Sequence, residues 1–228
     1  LYYRIQSYLK LPIPIFFKNY LKKYFGKNEL DKKLKSFLNF NNGFYIEIGA
    51  YDGITQSNTY YYEKNNNWKG ILIEPSKIQF DKCKLYRSKK NIFYNCACVS
   101  FKFKQNFLQL NYSGLKTYSS IFLNKKKEKE YIKNPEIKHG EKKYSYYVKT
   151  TTMNDILLKS NAPKIIDFLS LDTEGAEFEV LNGIDFNRFK FRYLLIETDN
   201  FIKLKKFMLN KNYKYVKKFN YNDYFFKL

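Results

Sequence analysis

The chain has one histidine and three cysteines among its 228 residues, and that scarcity removes whole classes of site. Cys96 and Cys98 stand two apart on an expected strand, so they point to one face and do not readily pair with each other. With Cys83 as the third thiol the number is odd, and no Cys-x-x-Cys or Cys/His ligand spacing occurs. Structural zinc is therefore not expected, and the thiol usage fits a reducing compartment, so a cytoplasmic location is the expectation. The lone histidine, His139, suits proton transfer by its titration range, but a single loop histidine is more often a solvated bystander. Long apolar runs are missing too. No stretch of about eighteen apolar residues exists to make a spanning helix, and no cleavable leader is visible. The chain opens on Leu1 rather than Met, which suggests a piece of something longer.

Acidic residues are also short, 21 Asp and Glu against 42 Lys and Arg, for a formal charge of +21. One reading is a nucleic-acid partner, because a basic surface attracts phosphate. The other is codon bias toward Lys and Asn, and the Asn65–Asn67 run, the scattered lysines, 23 Tyr and 22 Phe favour it. What survives is tolerance of an anionic partner: a charged glycan, a nucleotide-sugar or a membrane face. At this length one domain with an ample core is expected.

Residues 44–53, Phe-Tyr-Ile-Glu-Ile-Gly-Ala-Tyr-Asp-Gly, run an apolar strand into a Glu-x-Gly-x-x-x-Gly turn, with Glu47, Gly49 and Gly53 at the fixed places. Glycine lets backbone approach a ligand closely. The Gly-x-Gly-x-x-Gly that packs a pyrophosphate on a helix N-terminus is absent, which argues against an NAD-dependent oxidoreductase. Carboxylates at this tip, Glu47 or Asp52, would repel pyrophosphate and suit an ammonium. The turn resembles the cofactor loop of Rossmann-like methyltransferases, whose S-adenosylmethionine carries an amino acid end and no phosphate. Trp68 to Pro75 supplies a second strand, with Glu74 at its C-terminal tip, where a carboxylate commonly chelates ribose. Between them, Thr55 to Asn66 has the length of one crossover helix, which Ser57 and Asn58 are able to cap while facing the ligand.

A third strand, Ile165 to Leu171, ends in Asp172 and turns tightly into a helix at Gly175. Together, "FYIEIGAYDGITQSNT", "GILIEPS", "FLSLDTEGAEFEVLNGID" and "LLIE" resemble the FkbM family of methyltransferases over roughly residues 40–225. That resemblance implies an S-adenosylmethionine-dependent O-methyltransferase, often acting on sugars, polysaccharides or polyketides. It also implies an α/β, Rossmann-like class I methyltransferase fold: a mostly parallel doubly wound sheet of about seven strands with an antiparallel last strand.

Alternating strands and helices agree with that class. Strands are expected at 44–48, 71–74, 92–98, 165–171 and 193–197. A helix carrying Phe201, Leu204, Phe207 and Met208 on one face follows, then a hairpin around residues 220–223, and Gly183 is read as ending the helix begun at Gly175. Residues 1–40 are expected to form an N-terminal helical extension interrupted by Pro12 and Pro14, before a methyltransferase domain at 41–228. The extension is read as helices flanking the core or the stub of an adjoining domain, in preference to a membrane-surface element or a lid. The 100–150 segment, with its Lys-rich run and the Tyr144–Tyr147 patch, is too long for a simple crossover and is expected to lie over the active site. Ser113-Gly114-Leu115 resembles a short family string, in keeping with that.

The expected cofactor contacts are Glu47, Gly49, Ala50, Asp52, Gly53, Ser57, Asn58, Glu74, Pro75, Cys96, Ala97 and Asp172, with Asn95 beside the adenine. Methyl transfer to oxygen needs alignment and a base. Asp172 is the first choice as catalytic residue, then Glu174, with Glu197 close by. Alternatively Asp172, Glu197 and Asp199 hold Mg²⁺, which would lower the hydroxyl's pKa instead. The expected acceptor is a sugar or glycan, anionic or neutral. An RNA methyltransferase, favoured by the charge, lacks the Asn/Asp-Pro-Pro-Tyr signature, since Asn134-Pro135 sits in the wrong place. A non-catalytic cofactor-binding module is opposed by the intact acidic tips.

Overall fold

The computed structural model describes residues 23–115, 117–123, 125–133 and 142–228. Expectations for residues 1–22, for Asn134-Pro135 and for His139 lie outside the described residues. Seven strands form the main sheet. In chain order they are β1 (Phe44–Ile48), β2 (Lys69–Ile73), β3 (Ile92–Tyr94), β7 (Ile165–Leu171), β8 (Lys190–Glu197), β9 (Lys214–Lys218) and β10 (Asp223–Lys227). Their spatial order is β3-β2-β1-β7-β8-β10-β9. The first five run parallel, and β10 enters antiparallel between β8 and β9. This is the mostly parallel sheet with an antiparallel last strand that the family resemblance implies.

Apolar side chains cover both faces, as they must where helices bury a parallel sheet. One face buries Ile46, Ile48, Leu169, Leu171, Leu194 and Ile196 beneath Leu204 and Met208 of the helix Phe201–Asn210. The other buries Tyr45, Leu72, Phe168 and Phe225 beneath α1 (Leu30–Leu38), whose Leu30, Leu34 and Leu38 recur at helical spacing. Period-two alternation puts Glu47 on the α1 face with Tyr45, a placement that decides its role.

The expected strand at 92–98 is two strands. Asn95 breaks it, its Nδ2 donating to the carbonyls of Glu74 and Pro75, both at 2.9 Å. Beyond it β4 (Ala97–Val99) leaves the main sheet and pairs parallel with β6 (Tyr144–Thr152), which pairs antiparallel with β5 (Phe107–Tyr112). The 100–150 segment thus carries a small sheet and a helix, Lys125–Lys133. The helix after Asp172 is short, Glu177–Leu181, with Asn182 at its C-cap. Gly183 answers a packing need instead, since a Cβ there would fall 2.2 Å from the Val99 carbonyl oxygen. Among the described residues, no helix is long and apolar enough to cross a membrane.

Arg87 ties the first crossover together. It is buried, following helix α3 (Lys77–Tyr86), and its guanidinium donates to Glu63 Oε2 at 2.8 Å and Glu47 Oε2 at 3.2 Å. It also donates to the Gly53 carbonyl at 2.9 Å, the Tyr45 hydroxyl at 2.7 Å and Thr59 Oγ1 at 2.9 Å. Removing one side of a buried ion pair leaves uncompensated charge and costs about 3–5 kcal/mol. Arg87→Met is therefore expected to destabilise the fold on that scale in urea denaturation; an unchanged midpoint would contradict the role.

Candidate active site

A 710 Å³ cavity opens at the C-terminal ends of β1, β2, β7 and β8, where open α/β sheets bind ligands. Its walls include Gly49, Ala50, Ser57, Glu74, Pro75, Cys96, Ala97, Asp172, Glu174, Glu197 and Asp199, all expected from sequence. Leu108, Leu110, Tyr118, Phe122 and Tyr131, from the 100–150 segment, line it as well. The alternation of β5 aims both leucines inward.

The glycine turn owes its shape to close approach. Gly49 has φ +84°, and a Cβ there would fall 2.0 Å from the Asp172 carbonyl oxygen, so the β1 and β7 tips pack backbone to backbone. The Asp172 N–H donates to the Ile48 carbonyl at 3.1 Å, and the Gly49 N–H to that of Ile73 at 3.0 Å.

Five residues expected to touch a ligand do not line this cavity. Glu47 points to the opposite face and accepts from Ser57 Oγ at 2.9 Å, the Asn58 N–H at 2.9 Å, Thr59 Oγ1 at 2.6 Å and Arg87. It builds the loop from below. Asp52 closes a tight turn, accepting the N–H groups of Ile54 at 3.0 Å and Thr55 at 2.7 Å. At Gly53 (φ +82°) a Cβ would meet Arg87 at 2.7 Å, and Asn58 donates away from the cavity to Ser170 Oγ at 3.1 Å. Asn95 is likewise a turn residue. Ser57 serves both ends, lining the cavity while its Oγ accepts the Tyr60 N–H at 3.1 Å to start α2 (Tyr60–Asn66).

Glu74 is buried, with Oε2 accepting the Tyr51 N–H at 2.8 Å and Oε1 the Ser76 N–H at 2.7 Å. Burial pushes its carboxyl up to about 7, against those two bonds, and the charge of Asp52 adds to the push. On the other side of the cavity three carboxyl groups stand abreast on neighbouring strand tips: Asp172 after β7, Glu197 ending β8 and Asp223 opening β10 opposite Glu197. Asp172 is half-buried in the cavity wall; desolvation there, then Glu197, Glu174, Glu177 and Asp223, hold its carboxyl well above the usual range. Glu197 is pushed to about 7 by burial and by Asp223 and Glu174, while Lys27 opposes the shift.

The expected Mg²⁺ set does not assemble. Asp199 turns to Lys127, 2.6 Å away, and to Asn222 Nδ2 at 2.5 Å. Among the described residues, no three His, Cys, Asp or Glu side chains are grouped to hold a metal. Glu174, at φ 51°, accepts from the Tyr131 hydroxyl. Sequence reasoning missed Asp223, Tyr131, Lys127 and Lys27. Asp223 reads as part of a hairpin turn, and only its register opposite Glu197 exposes it.

The profile described as Methyltransferase FkbM domain matches residues 47–221. The chain belongs to that family. No curated protein matches the sequence. Among solved structures, it is similar in fold to the methyltransferase FkbM from Methylobacillus flagellatus KT, with TM-score 0.51 and 11% identity. That alignment covers 82% of this chain and 44% of the other, so the chain spans less than half that protein's length. A precorrin-6y C5,15-methyltransferase from Geobacter metallireducens GS-15 aligns with TM-score 0.44 and 12% identity, over 90% of this chain and 89% of that one.

This FkbM domain carries a pH signature in its raised carboxyls. Glu74 has an ordinary value of 4.5 and about 7 when folded, so between the two the native state holds a proton that the unfolded chain has released. Its stabilising contribution is complete below about 4.5 and is lost as pH rises through about 7. Stability of the ligand-free protein is expected to fall across that window in denaturant titrations. Glu74→Gln should flatten the fall, and a profile indifferent to that substitution would contradict the assignment.

Proposed function

We propose that this FkbM domain binds S-adenosylmethionine in the large cavity and transfers its methyl group to a hydroxyl of a sugar or glycan. One observation carries the reading: the cavity is acidic inside a basic protein. Among its described lining residues, Glu74, Glu130, Asp172, Glu174, Glu197 and Asp199 face only Lys27, Lys126 and Lys127, although the chain is formally +21. Glu74 and Glu197 titrate at about 7 in the ligand-free protein and Asp172 well above its usual range, and a cation beside them, here a sulfonium bearing an ammonium, favours their ionised forms.

The residues present fit that cofactor. Each Glu74 oxygen keeps a lone pair beyond its backbone bond, which suits two ribose hydroxyls, and Cys96, Ala97, Leu108 and Leu110 offer an apolar wall to adenine. The volume lies within the roughly 300–1,000 Å³ of small-molecule sites and leaves room for part of an acceptor. When bound, S-adenosylmethionine supplies a methyl carbon activated by sulfonium. Asp172 accepts the acceptor hydroxyl's proton, Glu197 shares the negative charge, and Tyr131 holds Glu174 at the acceptor side. Tyr118, Phe122 and Tyr221 supply rings for the C–H face of a sugar, and carboxylates and Asn222 bond its hydroxyls.

RNA is the second reading, favoured by the formal charge of +21. A phosphate near the transferred methyl would meet Asp172 and Glu174, whereas Lys27 and Lys126, also in the cavity lining, suit an anionic group elsewhere on an acceptor. In an assay with labelled cofactor, a glycan or nucleotide-sugar is expected to be methylated faster than any RNA oligonucleotide; the reverse order would overturn the sugar reading. Calorimetry should show binding of S-adenosylmethionine or its demethylated product and none of NAD.

Asp172→Asn keeps size and removes basicity. It is expected to leave cofactor affinity near normal and lower turnover about 10²-fold or more. Glu174→Gln should be milder, because Tyr131 already engages that carboxylate. Near-full turnover in Asp172→Asn would move the base elsewhere.

A further inference from the structure

Behind the three carboxyl groups lies a second cavity of 20 Å³. A polar cavity of roughly 10–15 Å³ is enough for one water with two to four partners. Asp172, Glu197 and Lys27 line both this pocket and the large cavity; Asp223, Asn58 and Ser170 line only the small one. A second observation points the same way. Asn58 Nδ2 donates to Ser170 Oγ at 3.1 Å, while its Oδ1 is sealed from solvent with no protein partner. A sealed acceptor needs a donor, and a water in the pocket provides one. Lys27 and Asp223 both fall outside the family match at 47–221, so the family pattern alone does not describe this back wall.

We propose that one water occupies this pocket, joins the Asp172–Glu197 pair to Asp223, and forms the exit for the proton released by methyl transfer. The proposal rests on the methyl-transfer reading above. In that step the acceptor O–H bond breaks and an O–C bond forms, while the methyl C–S bond breaks with its electron pair going to sulfur. The proton goes to the carboxylates of Asp172 and Glu197. With cofactor and acceptor filling the large cavity, its path to solvent runs backward, through the water to Asp223 and out past Lys27. Asp223 is then a positioning residue, acting through Glu197 and the water.

The charges facing this route are consistent with a shared proton. Asp172 is surrounded by Glu197, Glu174, Glu177 and Asp223. Glu197 faces Asp223, Glu174 and Asp172, with Lys27 opposing them, and Asp223 faces Lys27 and Lys33. Like charges this close do not all ionise together.

The test uses the full chain and Asp223→Asn, which keeps size and removes one negative charge. In a crystal structure, a water bonded to Asn58 Oδ1 is expected, and a dry pocket would overturn the proposal. In carboxyl-carbon NMR, with the signal assigned through Glu197→Gln, Glu197 is expected to titrate lower in Asp223→Asn; an unmoved titration overturns the coupling. Kinetically, Asp223→Asn should lower kcat about tenfold with both KM values unchanged and raise the solvent deuterium isotope effect, and Asp223→Glu should restore most of the loss. Should Asp223→Asn fold poorly, Ser170→Thr, whose added methyl takes the water's place, is expected to give the same kcat loss. Unchanged kcat in a folded variant overturns the exit route. A wild-type protein that methylates no acceptor counts against the methyl-transfer reading, while the water and the titration still judge the pocket.

Discussion

The buried guanidinium of Arg87 is the constraint on which the cofactor side of this domain depends. It arrives from the end of α3 and gathers the tip of β1, the loop at Gly53 and the helix entry at Thr59. Each of those parts carries a buried carboxylate, hydroxyl or carbonyl that would be costly without a donor. Glu47, which reads as a ligand contact, is what fixes the loop to the sheet. Arg87 also sets a size limit, since a Cβ at Gly53 would collide with it.

Charge is arranged in two layers. Lysines dominate the chain as a whole, yet the strand tips deliver carboxylates to the cavity from β2, β7 and β8. Parallel neighbours place their C-terminal ends side by side, so a carboxylate on each must crowd the others. Asp223 adds to the crowd from the opposite direction, because β10 runs antiparallel and starts where β8 ends. Crowding and burial hold the Asp172 carboxyl well above its usual range and push Glu197 to about 7, near the pH at which a general base serves best. Lys27 and Lys127 temper the cluster from its edge.

The small sheet is what turns an open cleft into an enclosed one. Asn95 diverts the chain out of the main sheet, β4 joins β6, and β5 lays Leu108 and Leu110 against the cavity. Tyr131 and Lys127, on the helix Lys125–Lys133, then bind Glu174 and Asp199 on the far rim. Asp199 is thereby held by a lysine rather than left for a metal.

The sequence by itself determined the sheet and much of the cavity. Strands at 44–48 and 165–171 could be read to the residue, because short, mainly apolar runs flanked by turn-forming residues have few alternatives in a doubly wound sheet. Gly49, Glu74, Asp172 and Glu197 were legible for the same reason: a strand's C-terminal tip is fixed once the strand is. Tertiary structure alone decided the direction and partner of each polar group. Glu47 and Asp52 look like ligand contacts until Arg87 and the Thr55 turn claim them. Asn95 looks like mid-strand until the Glu74 and Pro75 carbonyls capture it, and Asp223 looks like a turn residue until register sets it beside Glu197. The Asp52 turn is local, but the other outcomes depend on partners tens of residues away, and sequence spacing carries no information about which of several buried donors a carboxylate will meet.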